Sequence, residues 1–332
     1  MTDTEISKKE GTTFPESHYN QIIRESCDVY GENPDGTKQL LIKFRKNVIP
    51  QRICSTAFNA LEKHAQHKNY NRGAAAGVLN LSKLPRHVGK ITKKDSFRIF
   101  YKKKDGAKSK DNVGNMAMSN IAGYYDKPDR NEYLRLIREK KTNKTNKTNK
   151  IKLKLKSNKT QRSGYDVMGV PLCRTTQFTK DQVDKWRDTV PLIVAADKQF
   201  RQLIPDRHAV QLTRARKTPQ YQIARTAYST ITVNYDWRTA LHKDKGDLDE
   251  GFGNLLVLEK AKSGFPECGG FTGGYLGFPK WGIAVDVRQG DFLAMDVHEW
   301  HCNTPIKGTG RLSVVCYLRK NMIQCTTNSH RN

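Results

Sequence analysis

Five short runs of β-branched and aromatic residues crowd into the last third of the chain: IARTAYSTITVNY, NLLVLEK, WGIAVDVR, DFLAMDVHEW and RLSVVCYLR. Glycine-rich connections, among them DEGFGN and GGFTGGYLGFP, separate them. Runs of this kind with turn signals between them pair into antiparallel sheets, and several such strands must stack or close to bury one face of each. The expectation is an α+β, mainly β architecture, a β-sandwich or jelly roll behind a layer of helices.

Upstream the period changes. FTKDQVDKWRDTVPLIVAADKQFRQLIP reads as helical, interrupted at Pro191 and stopped by Pro205. KQLLIKFRKNVIP reads as a strand ended by Pro50. The next segment, PQRICSTAFNALEKHAQH, repeats apolar residues at helical spacing (Ile53, Ala57, Ala60, Leu61, Ala65) behind a first-turn proline. Residues 1–36 are polar and expected to be flexible, although IIRESCDVYG can form a short element. From NYNRGAAAGVLNL to GYYDKPDR little periodicity survives, so loop is expected with a strand at FRIFYKK. KKTNKTNKTNKIKLKLKSNKT carries repeated NKT units and too little apolar surface to offset chain entropy; it is expected to be a disordered insertion.

The 332 residues carry 59 Lys and Arg against 33 Asp and Glu, a formal net charge of +26. Segment 138–160 holds ten Lys/Arg against one Glu, so +9 is local and +17 lies elsewhere. An excess of that size draws polyanions, because each phosphate neutralised by a basic side chain releases condensed counterions. Nucleic acid is therefore the expected partner. No apolar run is long enough to cross a bilayer and MTDTEISKKEG has no signal-peptide character, which points to an intracellular protein of cytoplasm or nucleus with no membrane association. The seven cysteines (Cys27, Cys54, Cys173, Cys268, Cys302, Cys316, Cys325) include no CxxC pair and are expected to be reduced thiols.

Three segments carry chemistry. In LHKDKGDLDEG, an extended backbone points His242 and Asp244 to one face, where an imidazole nitrogen and a carboxylate oxygen can converge on one ion. DFLAMDVHEWHCNTP offers His298 and His301. Strand alternation groups His301 with Leu293, Met295, Val297 and Glu299, and His298 with the opposite face, so only one of the two faces a pocket easily. In RLSVVCYLRK the same alternation sets Arg311, Ser313, Val315 and Tyr317 against Leu312, Val314, Cys316 and Leu318. A guanidinium buried among apolar neighbours needs an anion, either a protein carboxylate or a dicarboxylate ligand gripped by its planar fork with the Ser313 hydroxyl as a second donor. Two His and one carboxylate on one face of a metal leave positions open, the arrangement of non-haem Fe(II) oxygenases. GGFTGGYLG lacks the Lys-Ser/Thr of a phosphate-binding loop and reads as a connection over the barrel mouth.

These residues resemble the TET and J-binding-protein family, Fe(II)- and 2-oxoglutarate-dependent dioxygenases with a double-stranded β-helix core that oxidise the 5-methyl group of pyrimidines. HKD is similar to the family's HxD motif, EWHCNTPI to its distal-histidine stretch, and RLSVVCY to its co-substrate strand; the likeness runs from about Thr226 to Met322. NRGAAAG and CRTTQFTKDQVDKW also resemble segments of microbial and viral members. The resemblance implies His242, Asp244 and His301 as catalytic iron ligands, with Arg311 and Ser313 binding 2-oxoglutarate and O2 as the second co-substrate. It further implies substrate contacts at Tyr317, which would stack on the base, and at Asp247. Arg319 stands where animal members carry a histidine that bonds methylcytosine, which opens the way to thymine or another methylated base. Arg72, in NRGAAAG, can meet substrate or stabilise a turn, and His298 is left to a supporting role.

The organisation so implied is a flexible N-terminus at 1–36, an N-terminal part of the catalytic unit at 37–137, the insertion at 138–163, the double-stranded β-helix core at 164–325 and a tail at 326–332. The expected activity is hydroxylation of the methyl group of 5-methylcytosine or thymine in DNA, with the base extruded from the duplex. The chain is expected to act as a monomer without a protein partner. The alternatives are a same-fold dioxygenase acting on RNA or protein, and a non-catalytic DNA-binding module.

Overall fold

The computed structural model describes residues 1–32, 35–103, 112–129, 132, 135, 171–262, 265–268 and 270–325. The insertion at 138–163 and the tail at 326–332 lie outside them.

Two sheets organise the fold. The larger has eight strands, in the order Cys27–Glu32, Lys38–Arg45, Phe292–Met295, Gly253–Glu259, Arg311–Tyr317, Thr230–Tyr235, Ser119–Tyr125 and Arg174–Thr175. The smaller is ordered Gln21–Ile23, Ile283–Val285, Leu276–Phe278 and Cys302–Asn303. Period-2 alternation gives each strand of the larger sheet two destinations. Leu255, Val257, Leu293 and Met295 pack inward against Leu276, Phe278 and Val285 of the smaller sheet. Leu256, Leu258, Ile231, Val233, Leu312, Val314 and Cys316 face the other way, onto two helices. At about 1.5–3 kcal/mol for each large side chain fully removed from water, these two layers dominate the fold's stability. The result is the expected mainly β jelly-roll core with flanking helices.

Helix Gln51–Ala65 buries Cys54, Ala57, Phe58, Leu61 and Ala65, an i, i+3, i+4, i+7 stripe, with Pro50 as its N-cap and Lys63 and His64 in its last turn. Helix Val183–Leu203 packs through Leu192, Ile193, Ala196 and Phe200. It runs through Pro191, where an interruption is expected from sequence. The proline sits on the exposed face, where solvent can reach the carbonyl it leaves without an intrahelical donor, and the anchors that follow hold the helix on the sheet. Helix Pro205–Ala215 begins directly after.

Three further expectations are corrected. Residues 1–32 are built into the core rather than flexible: Thr2 caps helix Asp3–Ser7 in a capping box with Glu5, and Ile6, Phe14 and Tyr19 pack with Leu241, Tyr275, Trp300 and Cys302. Gln21–Ile23 adds a parallel edge to the smaller sheet. In the stretch from 69 to 130, expected to be loop with a strand at FRIFYKK, that strand is present as Arg98–Lys103. It lies, however, in a three-stranded sheet with Val88–Lys94 and Asn112–Gly114, and a further strand, Ser119–Tyr125, follows. Gly123 lets that last strand approach its neighbour: its φ is +90°, and a Cβ there would stand 2.7 Å from the Ser229 carbonyl oxygen.

The cysteines are not all thiols. Cys173 and Cys325, 152 residues apart in sequence, form a disulfide. It is buried beside Met322, Leu172 and Tyr221, and ties the segment after the last core strand to the strand Arg174–Thr175. Cys325→Ser should lower stability by about 2–4 kcal/mol through the loop-closure entropy returned to the unfolded chain. Denaturant melts of wild type and variant, with and without reductant, check this: reductant should move only the wild type. Among the described residues no helix is long and apolar enough to cross a membrane.

Candidate active site

Between the sheets opens a cavity of about 1030 Å³. Arg311, Ser313, Val315 and Tyr317 all line it, while Leu312, Val314 and Cys316 point to the helical layer, so the alternation read from RLSVVCYLRK places the polar face on the cavity. Leu255, Leu276 and Met295 form its apolar floor, and His242, Asp244 and His301 stand along one side.

The HxD segment and the distal-histidine segment are held together by backbone. The His242 N–H donates to the His301 carbonyl at 3.0 Å, the His301 N–H returns the bond at 3.1 Å, and the Asp244 N–H reaches the Val297 carbonyl at 3.0 Å. Strand Phe292–Met295 ends before this point, so the bridge, and not strand alternation, turns His301 inward. His242 Nε2 lies 3.7 Å from Asp244 Oδ1, and His301 Nε2 lies 3.8 Å from Asp244 Oδ2. One ligand atom from each residue falls within 4.8 Å of the others, close enough to share one ion. Each imidazole uses Nδ1 on a backbone carbonyl, Ala240 for His242 and Glu299 for His301, both at 2.8 Å. That fixes the tautomer and aims a lone pair on Nε2 at the common point. Burial, then the adjacent His301 ring, pushes the His242 imidazole down to about 4, so it is neutral and able to ligate at neutral pH.

His298 is elsewhere. Its Nδ1 is 3.3 Å from Asp296 Oδ1, whose oxygen also accepts the His298 N–H at 2.9 Å, and this bond raises the His298 imidazole above its usual range.

Arg311 is 2% exposed, forms no ion pair among the described residues, and its Nε has no hydrogen-bond partner. Burial, with Arg288 next, lowers its guanidinium to about 10, still charged at neutral pH. A buried cation without a carboxylate is the complement of a carboxylate ligand, so the residues present fit 2-oxoglutarate. Gly274, at φ +68°, makes room for it: a Cβ there would lie 2.9 Å from Arg311 Nε. Ser313 Oγ accepts from Asn234 Nδ2 at 3.1 Å, and Asn234 Oδ1 accepts from Ser119 Oγ at 2.5 Å. Because Asn234 is the donor in this bond, the Ser313 hydroxyl keeps its own proton to donate into the cavity. Asn234 and Ser119 are not singled out by the sequence, although TITVNY does place a polar residue on the inward face of a strand.

At the other end, the Tyr317 hydroxyl bonds Thr232 Oγ1 at 3.0 Å. Arg319 Nε donates to Asp126 Oδ1 at 2.6 Å and lies over the Tyr125 ring at 4.7 Å; its backbone bridges to Asp247. Burial, then Asp244, raises the Asp247 carboxyl well above the carboxylate range. Arg72 also lines the cavity, with Nε donating to the Ser119 carbonyl at 3.2 Å and Nη2 buried without a partner. All eight candidate residues thus border one cavity, and Arg72 borders it with them.

Residues 163–320 match the family model Tet_JBP, the oxygenase domain of the 2OGFeDO superfamily. The bifunctional helicase and thymine dioxygenase JBP2 of Leishmania tarentolae is 34% identical over 174 residues, 50% of this chain and 15% of that protein. Thymine dioxygenase JBP1 of Trypanosoma brucei brucei is 32% identical over 164 residues, 47% of this chain and 18% of that one. The chain therefore spans less than a fifth of the length of these curated relatives. The solved structure of NgTET1 in complex with 5mC DNA aligns over 97% of this chain and 92% of that one, at 11% identity and a TM-score of 0.46. The superfamily implies Fe(II), 2-oxoglutarate and O2. His242, Asp244, His301 and Arg311 all fall inside residues 163–320, the segment that matches the Tet_JBP oxygenase domain.

Proposed function

We propose that this chain is an Fe(II)- and 2-oxoglutarate-dependent dioxygenase that hydroxylates the methyl group of a 5-methylpyrimidine in DNA, with thymine favoured over 5-methylcytosine, acting as a monomer. The observation that carries the reading is the convergence of His242, Asp244 and His301 on a cavity whose wall holds the unpaired, buried Arg311. Bound iron, with O2 and 2-oxoglutarate, supplies the oxidising power to break a C–H bond. His242, Asp244 and His301 are the residues that would hold it. Arg311 would pair with a carboxylate of the co-substrate, and Ser313, which accepts from Asn234, would add a hydrogen bond.

The substrate's methyl group must reach this cluster inside the cavity, so the base leaves its duplex and enters, where Tyr317 offers a face to stack on. Arg319 is anchored by Asp126 and carries only donors. Donors suit the O4 carbonyl of thymine and oppose the N4 amino group of cytosine. The names of the relatives, thymine dioxygenases, support the same choice.

Purified protein with Fe(II), 2-oxoglutarate and DNA containing thymine, 5-methylcytosine or N6-methyladenine tests this by nucleoside mass spectrometry. The expected product is 5-hydroxymethyluracil, dependent on 2-oxoglutarate, with thymine preferred over 5-methylcytosine by at least about tenfold because a mispaired buried donor penalises the wrong base. Absence of succinate and of any oxidised base would leave a binding module and end the proposal.

A further inference from the structure

The lip of the cavity carries a surface that oxidation itself does not use. Gly73, Ala74, Ala75, Ser96 and Phe97 line the cavity, and the segment that follows Ala75 is tied down by hydrogen bonds. Asn115 Nδ2 donates to the carbonyls of Ala76 at 2.9 Å, Gly77 at 3.2 Å and Val78 at 2.9 Å, and Asn115 Oδ1 accepts from the Asn80 N–H at 2.8 Å. The Leu79 N–H bonds the Ser96 carbonyl at 2.8 Å. Below, Ile99, Tyr101 and Val113 of the three-stranded sheet pack on Tyr70, Leu79, Leu84 and Val88.

On this support large apolar side chains face water. Val78 is 55% exposed, Leu81 48%, Met116 41% and Ile91 39%, four of the ten exposed large hydrophobics among the described residues. Asn115 joins two of them directly, since it bonds the Val78 carbonyl and precedes Met116. Lys90, Lys93, Lys94 and Lys102 stand exposed on the adjoining strands, and none is ion-paired among the described residues. Rigid apolar residues beside unpaired cations are complementary to a polymer with flat apolar faces and regularly spaced anions, which is a nucleic-acid strand. Inside the cavity, by contrast, His301 is 4% and Arg311 2% exposed, while His242 and Asp244 are partly buried. A base can reach them only by leaving its stack, and the stack then has a gap to fill.

We propose that this lip is a duplex-opening surface: Val78 and Met116 take up the stacking face vacated by the target base, while the lysines of the three-stranded sheet hold the flanking phosphates. The inference rests on the function proposed above. It makes the lip matter for paired DNA and not for a strand whose bases are already free.

The test uses the full chain with Fe(II) and 2-oxoglutarate, a thymine-containing oligonucleotide as single strand and as perfect duplex, and the variant Val78→Ser/Met116→Ser. Both positions are exposed, so the fold should persist, and melting curves verify that it does. The variant should lose about tenfold in product formation on the duplex and stay within about twofold of wild type on the single strand. In a duplex with 2-aminopurine beside the target base, wild type should raise the fluorescence and the variant should not. Lys90→Ala/Lys93→Ala/Lys94→Ala should flatten the salt dependence of duplex binding by about one unit of log-log slope for each phosphate that is no longer neutralised. Equal losses on both substrates, an unchanged duplex rate, or an unchanged fluorescence rise in the variant overturns the lip. If wild type oxidises no DNA, the oxygenase reading fails, and the fluorescence arm still decides the lip by itself.

Discussion

His301→Ala should lose bound iron and turnover together, whereas His298→Ala should keep its iron. The two histidines are three residues apart and differ in what holds them. His301 has Nδ1 committed to the Glu299 carbonyl and Nε2 within 3.8 Å of Asp244, so its one free lone pair points into the cluster. His298 is engaged by Asp296 and stands outside the cluster. Truncating His301 leaves a two-ligand site, and turnover should fall by about 10³-fold or more, given the several kcal/mol that a bound metal contributes to a transition state. The fold should survive, because His301 joins His242 through its backbone N–H and carbonyl, which alanine keeps. Iron content after anaerobic reconstitution, read beside nucleoside mass spectrometry and a thermal melt, separates loss of metal from loss of structure. Iron retained in His301→Ala and lost in His298→Ala would move the third ligand to His298.

What could be read from the sequence follows the range of the physics involved. The inward set Arg311, Ser313, Val315 and Tyr317 was legible because strand alternation is a local rule and the strand Arg311–Tyr317 is regular throughout. The HxD pair was legible because its two side chains are two residues apart. The Ser119–Asn234–Ser313 chain was not, since it exists only by register: Ser119 pairs with Asn234 across one strand boundary and Asn234 with Ser313 across the next. The Cys173–Cys325 bond likewise joins positions that only the finished fold makes neighbours. The N-terminal residues escape such a reading for a different reason. Ile6, Phe14 and Tyr19 follow no helical or strand period, yet each fills a place beside Trp300 and Leu241. Periodicity finds faces of regular elements, and it is blind to single anchors on an irregular chain.

Arg311→Met should move stability and co-substrate affinity in opposite directions. Arg311 is the largest side chain with almost no exposure, and no carboxylate stands within ion-pair distance of it among the described residues. Burial is the largest influence and, with Arg288, lowers the guanidinium to about 10, while Asp236, Glu259 and Asp286 favour its charge from farther away. The protein therefore carries at neutral pH a cation that its own fold does not neutralise. Methionine has similar length and no charge, so without co-substrate the variant should be more stable than wild type by about 1–4 kcal/mol, the range found when unfavourable buried charges give way to apolar residues. The same change removes the partner of the distal carboxylate, and the KM for 2-oxoglutarate should rise by about 100-fold or more, as when one member of a buried charge pair is truncated. Arg311→Lys separates charge from shape: it keeps the cation without the planar fork, so affinity should fall to an intermediate value with no gain in stability. Melts in the absence of co-substrate and titrations of 2-oxoglutarate measure the two effects independently. A structural arginine paired within the protein would behave in the reverse way, losing stability on replacement while KM stays unchanged, and that pattern would remove Arg311 from the co-substrate site.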